Sequence, residues 1–163
     1  MHRGQRGVKG PVRGPIEGVV ITPLSRITDE RGAVFHMLRC DDPQFDRFGE
    51  IYFSMVYPGA VKGWHVHLRM TLNYAAVKGM VKLVLFDERK GSRTRGHLME
   101  VFIGDDRYAR VTVPPGVWNG FKGLGDEPAI VANCATHPHD PQEILRRPPT
   151  DRRIGYDWAR RDG

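Results

Sequence analysis

Two histidines separated by one residue carry the chemistry most easily read from this chain. They stand in Gly59-Ala-Val-Lys-Gly-Trp-His65-Val-His67. Side chains i and i+2 of a strand project from one face. His65 and His67 are therefore expected to point together to one side, with Trp64 and Val66 on the other. Imidazole titrates near neutrality and both takes and returns protons, which suits proton abstraction beside a carbonyl group. Structural or surface histidines are the plainer alternative. The strand setting favours a shared pocket. Imidazoles also bind metals, but two of them without a carboxylate make a poor divalent-cation site. His137 and His139, in HPHD, read as a surface loop, so neither a metal nor another cofactor is expected.

The elements that must hold such a pair are short and strand-like. Runs rich in Val, Ile, Tyr and Phe occur near Gly18–Thr22, Ala33–Leu38, Glu50–Tyr57, Lys62–Leu68, Leu72–Val77, Val81–Asp87, Glu100–Ile103, Ala109–Val113 and Ile130–Asn133. Turn signals separate them, among them DERG at 29–32, YPGA at 57–60, GDDR at 104–107 and PPG at 114–116. Without a convincing long amphipathic segment, this pattern predicts an all-β barrel or sandwich in a single domain. Asp140–Arg147 is expected to form a helical turn or two. Residues 1–15 read as a flexible basic tail, 16–147 as the domain, and 148–163 as an extended arm. In that arm Ile154, Tyr156 and Trp158 alternate to grip a surface. GVWNGFKGLG is glycine-rich but lacks the strand-to-helix setting of a phosphate-binding loop.

Charge and composition exclude several classes of partner. The formal net charge is +6, but four basic residues in the first fifteen and a net +3 in the last eighteen exceed that total. The body is thus slightly acidic, and a nucleic-acid partner, which needs a basic stripe on a folded face, is not expected. No apolar run approaches the roughly 18–20 residues that cross a bilayer, and the basic N-terminus lacks a secretory apolar core. Two cysteines, Cys40 and Cys134, are too few for a disulfide framework. A cytoplasmic protein without a membrane partner is expected.

Specific motifs point further. The spacing of Gly59, His65, His67 and Gly79 resembles the first cupin motif, with Leu72 in place of its glutamate. Pro114, Pro115 and Gly116 resemble the second, with Asn119 in place of its histidine. Within the cupins, DERG (29–32), KGWH (62–65), PPGVWNGF (114–121) and IGYDW (154–158) resemble the dTDP-4-dehydrorhamnose 3,5-epimerase family over roughly residues 16–158. The likeness is greatest to a shorter branch found with polysaccharide-biosynthesis enzymes. KGWHVH is also similar to a motif of sugar-nucleotide 3,4-ketoisomerases.

The resemblance implies an all-β cupin (jelly-roll) barrel, a homodimer, and metal-independent epimerisation or isomerisation of a small-molecule nucleotide sugar bearing a 4-keto group. It implies His65 as the base and His67 as second proton carrier or orienting group. Lys62 would hold the nucleotide diphosphate together with Arg31, which would reach in from a neighbouring subunit. Asn119 would address the keto oxygen or a sugar hydroxyl, and Tyr74 would also face the substrate. The family's enolate-stabilising lysine falls at Leu72 and its acid tyrosine near Ala132. The aspartate that orients its histidine lies past Gly163. Tyr74, Tyr57 and His67 are the candidates for the missing acid. A non-catalytic carbohydrate-binding cupin and a metal-dependent cupin enzyme are the alternative readings.

Overall fold

The computed structural model describes residues 12–162, and within them the chain forms strands and turns without a helix. Two antiparallel sheets face one another. The first is built in the order Val12–Arg13 (β1), Val20–Pro23 (β2), Ala109–Val113 (β10), Leu72–Lys78 (β7), Ala129–Ala135 (β12) and Glu50–Val56 (β5). The second runs Ile144–Arg146 (β13), Val61–His67 (β6), Val117–Leu124 (β11), Met80–Asp87 (β8) and Leu98–Gly104 (β9). Arg26–Asp29 (β3) and Gly32–Phe35 (β4) form a separate hairpin.

Period-2 alternation sorts the second sheet's side chains into two clusters. Leu83 and Leu85 of β8 and Val117 and Phe121 of β11 point inward, where they meet Leu72, Tyr74, Val111 and Val131 of the first sheet. Val84, Trp118, Trp64 and Val66 point outward and would be exposed if nothing covered them. Ile154 and Trp158 of the C-terminal segment cover them. The Trp158 ring lies 4.9 Å from Trp64, and Tyr156 stands edge-on to both rings. The alternating Ile154, Tyr156 and Trp158 thus grip the outer face of the sheet that carries the two histidines on its inner face.

The structure departs from the sequence reading in three places. The tail expected over 1–15 lies mostly outside the described residues, yet Val12–Arg13 already pair with Val20–Ile21. Asp140–Arg147 is not helical. After one turn it becomes β13, an edge strand whose Ile144 and Arg146 pair with His67 and His65. Its backbone ladder continues through Leu68 N–H to Glu143 C=O and a reciprocal Trp64–Arg147 pair. The glycine-rich Val117–Leu124 is a central strand, pairing with β6 on one side and β8 on the other. Its glycines serve close approach: a Cβ on Gly120 would stand 3.1 Å from the Gly63 Cα and 3.3 Å from the Trp158 ring. A one-residue bulge in β6 between His65 and Lys62 accompanies this contact.

The Trp158→Ala variant removes the largest part of the outer cover. A buried Trp→Ala truncation costs about 3–5 kcal/mol, so urea unfolding should show a loss of that order. A loss below about 1 kcal/mol would mean that the arm does not hold the second sheet.

Candidate active site

His65 sits in a chain of hydrogen bonds that determines where its protons lie. Asn119 is opposite it on β11 and fully buried. The Asn119 amide nitrogen donates to the backbone carbonyls of His65 and Val117, at 3.2 and 3.3 Å. Its carbonyl oxygen is left to accept, and the Tyr74 hydroxyl donates to it at 3.0 Å. A hydroxyl has one proton. Tyr74 therefore meets His65 Nε2, 3.2 Å away, with a lone pair, and His65 Nε2 must be the donor. The proton of neutral His65 is fixed on Nε2 and Nδ1 is left bare. Nδ1 has no protein partner among the described residues, yet it is not sealed from solvent. Burial, with the neighbouring His67 and Arg146 charges, pushes the His65 pKa down to about 4, against the Asn119 hydrogen bond. At neutral pH the ring is uncharged.

His67 is held in a different way. Its Nδ1 lies 2.6 Å from the Glu143 carboxylate, and both side chains are buried. The other Glu143 oxygen accepts from the backbone N–H groups of Arg69 and Met70, each at 2.7 Å. Burial raises the Glu143 carboxyl, but these three donors outweigh it and keep the group below the ordinary carboxylate value. An ionised acceptor fixes the proton on His67 Nδ1 and leaves Nε2 free. The two imidazoles stand edge to face with centroids 6.0 Å apart.

Tyr52 of β5 stands on the facing sheet. Asn73 N–H donates to Asn133 Oδ1 at 3.0 Å, which turns the Asn133 amide nitrogen toward the Tyr52 hydroxyl, also at 3.0 Å. Between these walls is a cavity of about 460 Å³ lined by Glu50, Tyr52, His65, His67, Met70, His139, Ile144 and Arg146. That volume is in the range of small-molecule sites. Among the described residues no three His, Cys, Asp or Glu side chains converge as metal ligands would.

Of the residues expected in a site, the structure brings His65 and His67 into one cavity. Tyr74 and Asn119 lie behind it: both are buried, neither lines it, and the Asn119 amide is saturated. Among the described residues their polar atoms bond to His65 and to each other. Lys62 is outside the lining and donates across to Ser54 of β5 at 2.8 Å. Arg31 projects from the β3–β4 hairpin, paired with Asp29 at 2.6 Å and largely exposed. It lies away from this protomer's cavity lining.

The cation beside His65 is Arg146, which β13 places in register with it. Arg146, Glu143, His139 and Tyr52 are the site residues that the sequence reading missed. The first three lie on a segment read as a helix or loop, where period-2 pairing with β6 was not visible. Tyr52 sits within a predicted strand, but the apolar alternation of Ile51, Phe53 and Met55 gave no sign that it faces the cavity.

Comparison with known proteins agrees with this architecture. The sequence model of the dTDP-4-dehydrorhamnose 3,5-epimerase family matches residues 13–162. The probable low-salt glycan biosynthesis epimerase Agl13 of Haloferax volcanii is 35% identical over 144 residues, covering 87% of this chain and 89% of the relative. The spore coat polysaccharide biosynthesis protein SpsL of Bacillus subtilis is 31% identical over 145 residues, covering 88% and 96%. The crystal structure of a dTDP sugar isomerase from Desulfovibrio desulfuricans G20 superposes with a TM-score of 0.88 at 46% identity, covering 91% of this chain and 95% of that one. The barrel is the cupin jelly roll, and the chain belongs to the dTDP-4-dehydrorhamnose 3,5-epimerase family.

Proposed function

We propose that this chain epimerises a nucleotide-linked 4-keto-6-deoxy sugar in polysaccharide or glycoside biosynthesis, by metal-independent proton transfer beside the keto group. The observation that carries this reading is the bare, solvent-reachable Nδ1 of a neutral His65 in a cavity shared with the carboxylate-backed His67. His65 Nδ1 takes the proton next to the carbonyl. The imidazolium so formed faces the enolate formed in the same step, and this opposite charge favours its protonated form. His67, its ring oriented by Glu143, stands beside it as the second proton carrier. Arg146 at the cavity offers the diphosphate a bidentate donor. The relatives named for glycan and spore coat polysaccharide biosynthesis support the setting.

The active unit is a homodimer. Ile51, Phe53, Met55 and Tyr57 recur every second residue along and just beyond β5, and all are exposed, as are Ile27 and Val34 of the β3–β4 hairpin. An apolar stripe on an edge strand is a surface that pairing would cover. Pairing there would bring each hairpin, with Arg31, to the other protomer, the position in which Arg31 would serve the diphosphate. The compartment is the cytoplasm. In support, Cys40 and Cys134 are free thiols.

Two experiments check these readings. In deuterium oxide, proton NMR of dTDP-4-keto-6-deoxyglucose with the wild-type protein should show solvent deuterium entering at C3 or C5. His65→Asn should slow that entry by roughly 10²–10⁴-fold, the usual cost of losing a general base. Tight binding with no exchange by the wild type would instead mark a binding protein. By analytical ultracentrifugation the wild type should sediment as a dimer and Phe53→Asp as a monomer. A dimer unaffected by that charge would place the interface elsewhere.

A further inference from the structure

Inverting a stereocentre by proton transfer needs a base on one face of the reacting carbon and an acid on the other. The histidines supply one face only, because His65 and His67 both belong to β6 of the second sheet. The tyrosines expected from the sequence do not supply the other. Tyr57 lies outside the cavity lining and is largely exposed. Tyr74 is buried behind His65, and its one proton is committed to Asn119. Burial further holds the Tyr74 hydroxyl well above the ordinary tyrosine range.

Tyr52 differs in position, although burial raises its hydroxyl as well. It lines the cavity from β5 of the first sheet, across from β6. Its oxygen accepts from Asn133, and the neighbouring Tyr74 hydroxyl, whose proton goes to Asn119, can offer it only a lone pair. A ligand in the cavity would therefore compete only with that lone pair for the Tyr52 proton. We propose that Tyr52 is the catalytic acid that protonates the sugar carbon on the face opposite His65, a proposal that rests on the epimerase reading above.

In this step the Tyr52 O–H bond breaks and the enolate's electron pair forms the new C–H bond. The carbonyl is restored and a tyrosinate remains. His65 meanwhile holds the proton taken from the other face. Exchange with water then returns a proton to Tyr52 and removes one from His65, so the cycle consumes nothing and involves no redox change. The Asn133 N–H favours the tyrosinate by donating to it. Asn133 is fully buried and fixed through Asn73, so that donor is already in place before the proton leaves.

The test separates removal of the proton from its delivery. Tyr52→Phe keeps the ring and deletes only the hydroxyl. With the nucleotide sugar in deuterium oxide, the variant should still exchange the acidic C–H with retention, within a few-fold of the wild-type exchange rate. Its inverted product should form roughly 10²–10⁴-fold more slowly, the range for loss of an acid or base. Calorimetric binding of dTDP and the thermal melting point, both unchanged from the wild type, check that the cavity is intact. Inversion at the wild-type rate would overturn the proposal, and so would equal loss of exchange and inversion in a variant that binds dTDP normally. Absence of exchange in the wild type itself is a distinct result, which removes the epimerase reading and this proposal with it.

Discussion

The site depends on the limited hydrogen-bonding capacity of Asn119. Its two amide protons go to the carbonyls of His65 and Val117, and only its oxygen is left for Tyr74. That choice takes the Tyr74 proton, makes His65 Nε2 the donor and leaves His65 Nδ1 as the lone pair available to a ligand. An unpaired buried amide would cost about 1–3 kcal/mol, so the arrangement is enforced rather than one among equals. Histidine at position 119 would offer a different set of donors, and the proton on His65 would no longer be dictated in the same way. Asn133 performs a comparable service on the facing sheet, where Asn73 turns its amide toward Tyr52.

These constraints need a rigid second sheet, and the chain after β12 supplies what that sheet lacks. β13 completes the free edge of β6 and carries Glu143 to His67 and Arg146 to His65. The next residue, Arg147, stacks 4.0 Å from the Trp118 ring and pairs with Glu88 at 2.7 Å, which also accepts from the Trp118 indole. The chain then lays Ile154 and Trp158 over the outer apolar face. One continuous segment thus places a carboxylate and a cation on the inside of the sheet and seals its outside. Gly63 and Gly120 allow the close approach of β6 and β11 that keeps His65 opposite Asn119.

Much of this was legible before the structure. Alternation predicted that His65 and His67 share a face with Trp64 and Val66 behind them, because a strand's period is fixed by its covalent geometry. The grip of Ile154, Tyr156 and Trp158 was legible for the same reason. Val117–Leu124 was not read as a strand because its glycines weaken a propensity argument, and their purpose, contact with another backbone, is a tertiary fact. The Ile144–Arg146 strand was hidden because its partner, β6, lies more than seventy residues away in sequence. The acid was hidden for a further reason. Tyr74 and Tyr52 are the same residue type on predicted strands, and only the structure shows that Tyr74 gives its proton to Asn119 while Tyr52 lines the cavity.

The most direct test of this account is the protonation of His65 itself, read by nitrogen-15 NMR of histidine-labelled wild-type protein between pH 8 and 5. Its pKa, depressed to about 4 chiefly by burial, keeps the neutral form dominant across that window. The account predicts a His65 ring protonated on Nε2 with a bare Nδ1 throughout, and a His67 ring carrying its proton on Nδ1. A His65 proton on Nδ1, or an imidazolium already present at pH 6, would contradict it.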